Sequence, residues 1–109
     1  MKLIVSIVNG DDAHDLTEAL KQEGFQSTTI STTGGFLREG NATILIGIAD
    51  DKVGAVMNVI RENCHRRTQY VNPLPPVMEP GELYMPNPVE VEVGGATIFV
   101  LNVERAERV

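Results

Sequence analysis

The apolar and polar residues in the first quarter of the chain predict one strand followed by one helix. Residues 2–8 (KLIVSIV) form a β-branched, almost wholly apolar run that is typical of a strand. Residues 9–12 (NGDD) break this run with side chains that favour helix N-caps, and apolar residues then recur at helical spacing up to about Lys21. Gly24 predicts the end of this helix, because glycine readily adopts the left-handed conformation of a C-terminal cap.

The rest of the chain predicts two further strands, a second helix and a hairpin. Residues 25–33 and 42–49 are β-rich and are predicted as the second and third strands. Asp50 and Asp51 are expected to cap a second helix, whose apolar stripe ends at Cys64. Residues 89–93 (VEVEV) and 96–103 flank a pair of glycines, which predicts a hairpin with a two-glycine turn.

Two loops complete the predicted organisation of a single domain that spans residues 1–109. The short loop covers residues 34–41, and the long loop covers residues 66–88. All 6 prolines of the chain lie in the long loop. A long segment without secondary structure in a small domain is usually functional or disordered, so ligand capping, partner docking and no role at all stay open for it.

The order of elements, β-α-β-β-α-β with an additional C-terminal hairpin strand, predicts an α+β ferredoxin-like sandwich with two helices on one face of a sheet. The predicted first strand is apolar on both of its sides: Leu3, Val5 and Ile7 on one, Ile4 and Val8 on the other. A solvated face would alternate to polar residues. We therefore expect a second subunit to cover the bare face, which we place at Ile4, Val8 and Leu45.

Composition narrows the classes of function. The chain has 109 residues, 42% of them hydrophobic and 22% charged, as in ordinary globular domains. Its net charge is −6 with 9 Lys and Arg, which argues against coating a nucleic acid. No apolar run approaches the ~20 residues of a membrane span, and a single cysteine forms no intrachain disulfide. The expected location is the cytoplasm.

The sequence contains little evidence for catalysis or for metal binding. Cys64 and His65 are adjacent, and on a helix they would point about 100° apart, so they make a poor nucleophile–base pair. The 2 His and 1 Cys have no metal-ligand spacing, and no phosphate-loop or dinucleotide glycine motif occurs. We expect no catalytic residue, no metal and no cofactor, and hence a protein that is not an enzyme.

The short loop and its flanks (TTGGFLREGN, residues 32–41) are the best candidate for a binding site. Paired glycines expose backbone N–H groups to an anion, threonines add hydroxyl donors, and Phe36 offers a face on which a base can stack. Alternatively, Phe36 and Leu37 pack on the subunit's own core or on a neighbour. Gly47, alone in a β-branched strand, marks either a close approach by a ligand or a gap that a neighbouring side chain fills.

The runs TTGGFLREGN and PVEVEVGGAT (residues 88–97), with the order of elements, resemble the PII-like cyclic-di-AMP receptors of Gram-positive bacteria. The resemblance covers essentially the whole chain. It implies a homotrimer with its sheets facing the threefold axis and three ligand sites between neighbouring subunits. It also implies a signal-transduction receptor for cyclic di-AMP that signals through loop rearrangement to an unknown downstream protein.

The resemblance also implies a set of binding residues. Phe36 and Leu37 would line the adenine pocket, with Gly35 as backbone partner. Thr28 would contact phosphate or ribose, and Asn41 and Gly47 would complete the contacts. The predicted nucleotide-binding residues are therefore Gln26, Thr28, Gly35, Phe36, Leu37, Asn41 and Gly47.

The chain departs from the family at two positions near the implied phosphate site. Gly24 and Gln26 stand where members commonly carry Asn and Arg. Losing a cation beside a phosphate removes a charge-assisted hydrogen bond, about 1.5–3 kcal/mol. Two alternatives therefore stay open: a PII-type regulator of another adenine nucleotide, and a partner-docking trimer with a decayed ligand site.

Overall fold

The computed structural model describes residues 1–31, 41–71 and 89–109. These ranges contain two α-helices and six strands. They are β1 (Lys2–Asn9), α1 (Gly10–Gln22), β2 (Thr28–Ser31), β3 (Asn41–Ile48), α2 (Val53–Asn63), β4 (Arg67–Val71), β5 (Val89–Val93) and β6 (Ala96–Asn102). Asn41, predicted as the last residue of the short loop 34–41, instead begins β3, and the other residues of that loop lie outside the described ranges.

Four of the strands form one antiparallel sheet in the order β2-β3-β1-β6. Both helices pack against the same face of this sheet and against each other, because their apolar stripes need a common cover. This arrangement is the predicted α+β, ferredoxin-like one. In the register of the sheet, Val5 at the centre of β1 lies opposite Leu45 of β3 and Phe99 of β6. That register decides which side chains share a face.

The face under the helices carries the hydrophobic core. Ile4 and Val8 of β1 and Ile44 and Ile46 of β3 are buried there. The structure corrects the prediction that Ile4, Val8 and Leu45 form the uncovered face. Leu45 pairs with Val5, and side chains alternate along a strand, so Leu45 points away from Ile4 and Val8.

The opposite face of the sheet, here called the open face, is apolar, and neither of the two described α-helices packs on it. Leu3, Val5, Ile7 and Leu45 are half-buried there by their neighbours in the sheet. Three larger side chains are more exposed: Ile30 44%, Phe99 44% and Leu101 48%. The sheet therefore has the expected bare apolar face, but the alternate residues of its strands form it, Leu3, Val5 and Ile7 of β1 rather than Ile4 and Val8.

The helix boundaries follow capping chemistry at one helix and not at the other. The side chain of Asn9 accepts a hydrogen bond from the backbone N–H of Asp11 at 2.9 Å, as expected of an N-cap. Residues Asp50–Lys52 instead form a short 3-10 turn without a side-chain cap, so the predicted capping role of Asp50 and Asp51 is wrong. The carboxylate of Asp50 lies 2.8 Å from the Met1 amino group, whose hydrogen bond lowers the pKa of Asp50.

The predicted C-terminal hairpin is wrong. β5 pairs with β4 in a separate two-stranded ribbon, and β6 pairs with β1. The strand Arg67–Val71 also occupies part of the segment predicted as a loop. Gly94 (φ +85) and Gly95 (φ +75) let the chain pass from the ribbon into the main sheet. A Cβ on Gly94 would collide with the carbonyl oxygen of His65, so this junction requires glycine.

Candidate functional site

A cleft of about 900 Å³ opens at the edge of the main sheet, between the last turns of α1 and the segment that leads into β2. Parts of β1 and β3 close its floor. Its lining combines hydroxyl, amide and charged groups with a few apolar side chains. The residues that line it are Leu3, Thr17, Glu18, Lys21, Gly24, Phe25, Gln26, Ser27, Thr28, Leu45 and Gly47.

The chain reversal after α1 creates this cleft. Gly24 adopts φ +83, and the following backbone N–H of Phe25 donates to the carbonyl of Leu20 at 2.8 Å. The backbone N–H of Gly24 also donates to the carbonyl of Lys21 at 3.0 Å, so the free carbonyls of the helix end are satisfied as in a glycine cap. The reversal lays residues 24–27 beside the last turn of the helix. The predicted role of Gly24 is confirmed.

The backbone conformation, rather than crowding, explains glycine at position 24. A Cβ added there would meet nothing within 4 Å, whereas the positive φ strains most side chains. Asn tolerates this left-handed region better than other residues. Glycine and asparagine therefore both suit the turn at position 24.

The cleft brings together three of the four predicted binding residues that the structure describes. Gln26 lies on the segment before β2, and Thr28 begins β2 opposite Leu45. Gly47 borders the cleft near the end of β3, where a Cβ would come within 3.2 Å of the Met1 side-chain methyl. The space beside Gly47 is therefore occupied by a neighbouring side chain, as one of its two interpretations predicted, while Gly47 itself faces the cleft.

The fourth described residue, Asn41, lies elsewhere. It begins β3, six residues from Gly47, which corresponds to about 20 Å along a strand. It lines a smaller cavity of about 240 Å³ with Asn9, Arg66 and the Gly94–Gly95 turn. Gly35, Phe36 and Leu37 are outside the described residues, so their predicted roles stay predictions.

The sequence analysis missed the contribution of α1 to this cleft. Thr17, Glu18 and Lys21 stand on one side of the helix because residues three and four apart are neighbours on a helical surface. The signal was available, since a glycine cap turns the following residues back over the last turn of the helix. Combining that turn with the helical spacing would have placed these side chains beside Gln26.

Reactive side chains lie away from the cleft. Cys64 is buried, and desolvation, followed by the nearby Asp12, raises the pKa of its thiol to about 11, although Arg67 opposes the shift. The thiol is therefore protonated near neutral pH and is a poor nucleophile. Arg67 holds Asp12 through two contacts of 3.0 and 3.2 Å, which ties the base of the ribbon to α1.

Neither a metal site nor a membrane span is visible in the described parts of the chain. No three His, Cys, Asp or Glu side chains of residues 1–31, 41–71 and 89–109 converge in a way that would hold a metal ion. Neither helix in these ranges is long and apolar enough to cross a membrane.

Comparison with known proteins identifies the family. The model of the cyclic-di-AMP receptor family matches residues 1–109, the whole chain. The chain belongs to the cyclic-di-AMP receptor family. Among solved structures, this family member is similar to a functionally unknown protein from Pediococcus pentosaceus, with 37% sequence identity and a TM-score of 0.73. The match covers 99% of this chain and 96% of that protein. The predicted resemblance is confirmed, and the PII-like superfamily is consistent with the fold.

Proposed function

We propose that the chain is a signal-transduction receptor that binds cyclic di-AMP between the subunits of a homotrimer and signals through loop rearrangement. The observation that carries the proposal is the family match over the whole chain. The cleft supports it, because it gathers Gln26, Thr28 and Gly47 from separate parts of the sequence. In this proposal residues 1–109 form one PII-like domain that works in the cytoplasm, without catalysis, and passes its signal to a downstream protein.

The size and chemistry of the cleft suit a dinucleotide. Its volume of about 900 Å³ lies near the upper end of the usual range for small-molecule pockets, about 300–1,000 Å³. The hydroxyl of Thr28 and the amide of Gln26 can donate hydrogen bonds to phosphate or ribose oxygens. Leu3, Leu45 and Phe25 supply apolar surface for a base.

The position of Asn41 favours a site shared between subunits. One cyclic dinucleotide does not readily bridge the about 20 Å that separate Asn41 from Gly47 on the same β3 strand. A ligand that contacts both kinds of residue therefore takes Gln26, Thr28 and Gly47 from one subunit and Asn41, with its adjoining loop, from the next. The apolar open face supplies the surface on which such subunits associate.

Gln26 is the feature that favours the alternatives. It is exposed and lines the cleft, but it brings no positive charge to a dianionic ligand. A regulator of a different adenine nucleotide, or a partner-docking trimer that has lost its ligand, would tolerate this residue. Calorimetric titration with cyclic di-AMP, cyclic di-GMP, ATP and AMP separates the three functions, and light scattering gives the subunit number.

The sharpest test of the proposed site is Gln26→Arg. If Gln26 faces the phosphates, the new cation should tighten cyclic di-AMP binding by roughly tenfold, the lower end of a charge-assisted hydrogen bond. The gain should shrink at high salt, since exposed charges are screened over about 8–10 Å at moderate ionic strength.

The trimer mass should not change in this variant, because Gln26 is exposed outside the strands. Equal affinities of the wild type and Gln26→Arg at both salt concentrations would show that Gln26 does not face the phosphates. Tight binding of ATP or AMP with no binding of cyclic di-AMP would favour the other regulator. A trimer that binds none of the four nucleotides would favour the decayed site.

A further inference from the structure

The end of α1 that borders the cleft is electrostatically unfavourable for an anion. The C-terminus of a helix carries a partial negative charge of about half an elementary charge. Glu18, which also lines the cleft, adds a carboxylate on the same side. An anionic ligand placed here therefore requires a compensating cation, and the amide of Gln26 does not provide one.

Lys21 is the one cation among the described residues that line the cleft. It lies in the last turn of α1, three residues after Glu18, and its side chain is exposed. The ion pairs between described residues involve the Met1 amino group, Arg66, Arg67 and Arg105, but not Lys21. The ammonium group of Lys21 is thus not committed to Glu18 or to any other carboxylate within the described residues.

The glycine cap places Lys21 and Gln26 at the same cleft. The carbonyl of Lys21 accepts the backbone N–H of Gly24 at 3.0 Å, so the chain turns back directly at this residue. Gln26 follows two residues after the turn and lines the same cleft. A lysine side chain carries a compact point charge on a flexible four-carbon stem, which lets the ammonium group follow a phosphate oxygen.

We infer that Lys21 supplies the positive charge that holds the ligand phosphate in this chain, with Gln26 adding a neutral hydrogen bond. The inference rests on the proposed function of the cleft. In this inference the positive charge of the site comes from a residue of α1 and not from the segment before β2. It also removes the main argument for a decayed site, because a missing cation at position 26 is compensated at position 21.

A matched pair of lysine variants tests the inference. Lys21→Gln removes the charge at the cleft, and Lys52→Gln removes the same charge from an exposed residue outside the cleft lining. Calorimetric titration with cyclic di-AMP at two salt concentrations should show a loss of about three- to tenfold for Lys21→Gln at low salt. Lys52→Gln should bind as the wild type does, and Lys21→Arg should retain most of the affinity.

A double variant separates a ligand contact from a purely structural role. Lysine in the last turn of a helix also stabilises the helix dipole, so Lys21→Gln alone could act through α1. Moving the charge with Lys21→Gln and Gln26→Arg together should restore binding to near the wild-type level, whereas a helix defect would remain. Thermal unfolding of Lys21→Gln measures whether the substitution lowers the stability of the fold.

The outcomes distinguish this inference from the proposed function. If the wild type binds cyclic di-AMP and Lys21→Gln binds it with the same affinity at both salt concentrations, the role of Lys21 is overturned and the proposed function is not. The same loss in Lys52→Gln would reduce the effect to net charge and would also overturn it. Absence of cyclic di-AMP binding by the wild type would overturn both the proposed function and this assignment.

Discussion

The two faces of the main sheet are built from the same strands, yet their surroundings differ. On the helix-covered face, Ile4, Ile44 and Ile46 are 0% exposed. On the open face, Val5 and Leu45 are half-buried, and Phe99 and Leu101 remain 44% and 48% exposed. Both faces carry large apolar side chains, but among the described residues only one of them is covered by helices.

This difference separates the apolar surface that stabilises the single chain from the surface that the proposed trimer would bury. Burial of apolar surface contributes about 25 cal/mol per Å², so the helix-covered face stabilises the isolated subunit. The open face contributes little until another surface covers it. Because the cleft lies at the edge of the open face, next to Leu3 and Leu45, assembly and ligand binding are expected to depend on each other.

Val5→Lys should have the largest effect on this comparison, because it places a charge at the centre of the open face. Val5 is half-buried between Leu45 and Phe99 in the sheet register. Burying an unpaired ammonium group in an apolar interface is costly, so the proposed trimer should dissociate completely. Light scattering at micromolar concentration should show the change in mass, and far-UV circular dichroism should show a folded subunit.

Thr29→Lys is the matched control for this variant. Thr29 is exposed on β2 and lies opposite Ile44, so it is on the same side of the sheet as the helix-covered face. The same charge introduced there should leave the assembly intact. A wild-type protein that is already monomeric, or an unchanged trimer of Val5→Lys, would show that the open face is not the interface.

Two neighbouring truncations in β3 should separate the faces energetically. Ile44→Ala creates a cavity in the core and should lower the free energy of unfolding by about 3 kcal/mol. Leu45→Ala removes a side chain from the open face, so its cost should be small in a dilute subunit and rise with protein concentration as subunits associate. Chemical denaturation of both variants at several protein concentrations measures this difference. A cost for Leu45→Ala that is independent of concentration would assign Leu45 to the subunit's own core.

Local signals in the sequence predicted both helices, the first three strands and the α+β fold, but not β4. The apolar run of β1, the N-cap at Asn9 and the glycine cap at Gly24 each depend on a few adjacent residues. The identity of the open face could not be predicted in the same way. Both parities of β1 are apolar, and only the packing of the helices decides which of them is covered.

Strand pairing and the site were harder to predict because they depend on distant residues. The two-glycine turn after β5 suggested a hairpin with β6, but β5 pairs with β4 and β6 pairs with β1, which is distant in sequence. The predicted site residues Gln26, Thr28 and Gly47 came from a family resemblance, and their proximity follows from the pairing of β2 with β3. Lys21 was missed because the glycine cap at Gly24 was not combined with the helical spacing of α1, which together place Lys21 beside the segment that lines the cleft.

The smallest predicted effect concerns Ser6, a polar residue within the helix-covered face. Ser6 lies between Ile4 and Val8 in β1, its side chain is fully buried, and its hydroxyl has no hydrogen-bond partner within the described residues. An unpaired buried hydroxyl costs about 1–3 kcal/mol of desolvation, whereas alanine nearly preserves its volume. Ser6→Ala should therefore raise the free energy of unfolding by about 1 kcal/mol, as measured by chemical denaturation. Ser27→Ala, in the half-buried lining of the cleft, serves as the control and should change stability by less than about 0.5 kcal/mol. A loss of stability in Ser6→Ala would mean that the hydroxyl of Ser6 is hydrogen-bonded. In that case a polar contact, and not apolar packing alone, would stabilise the helix-covered face.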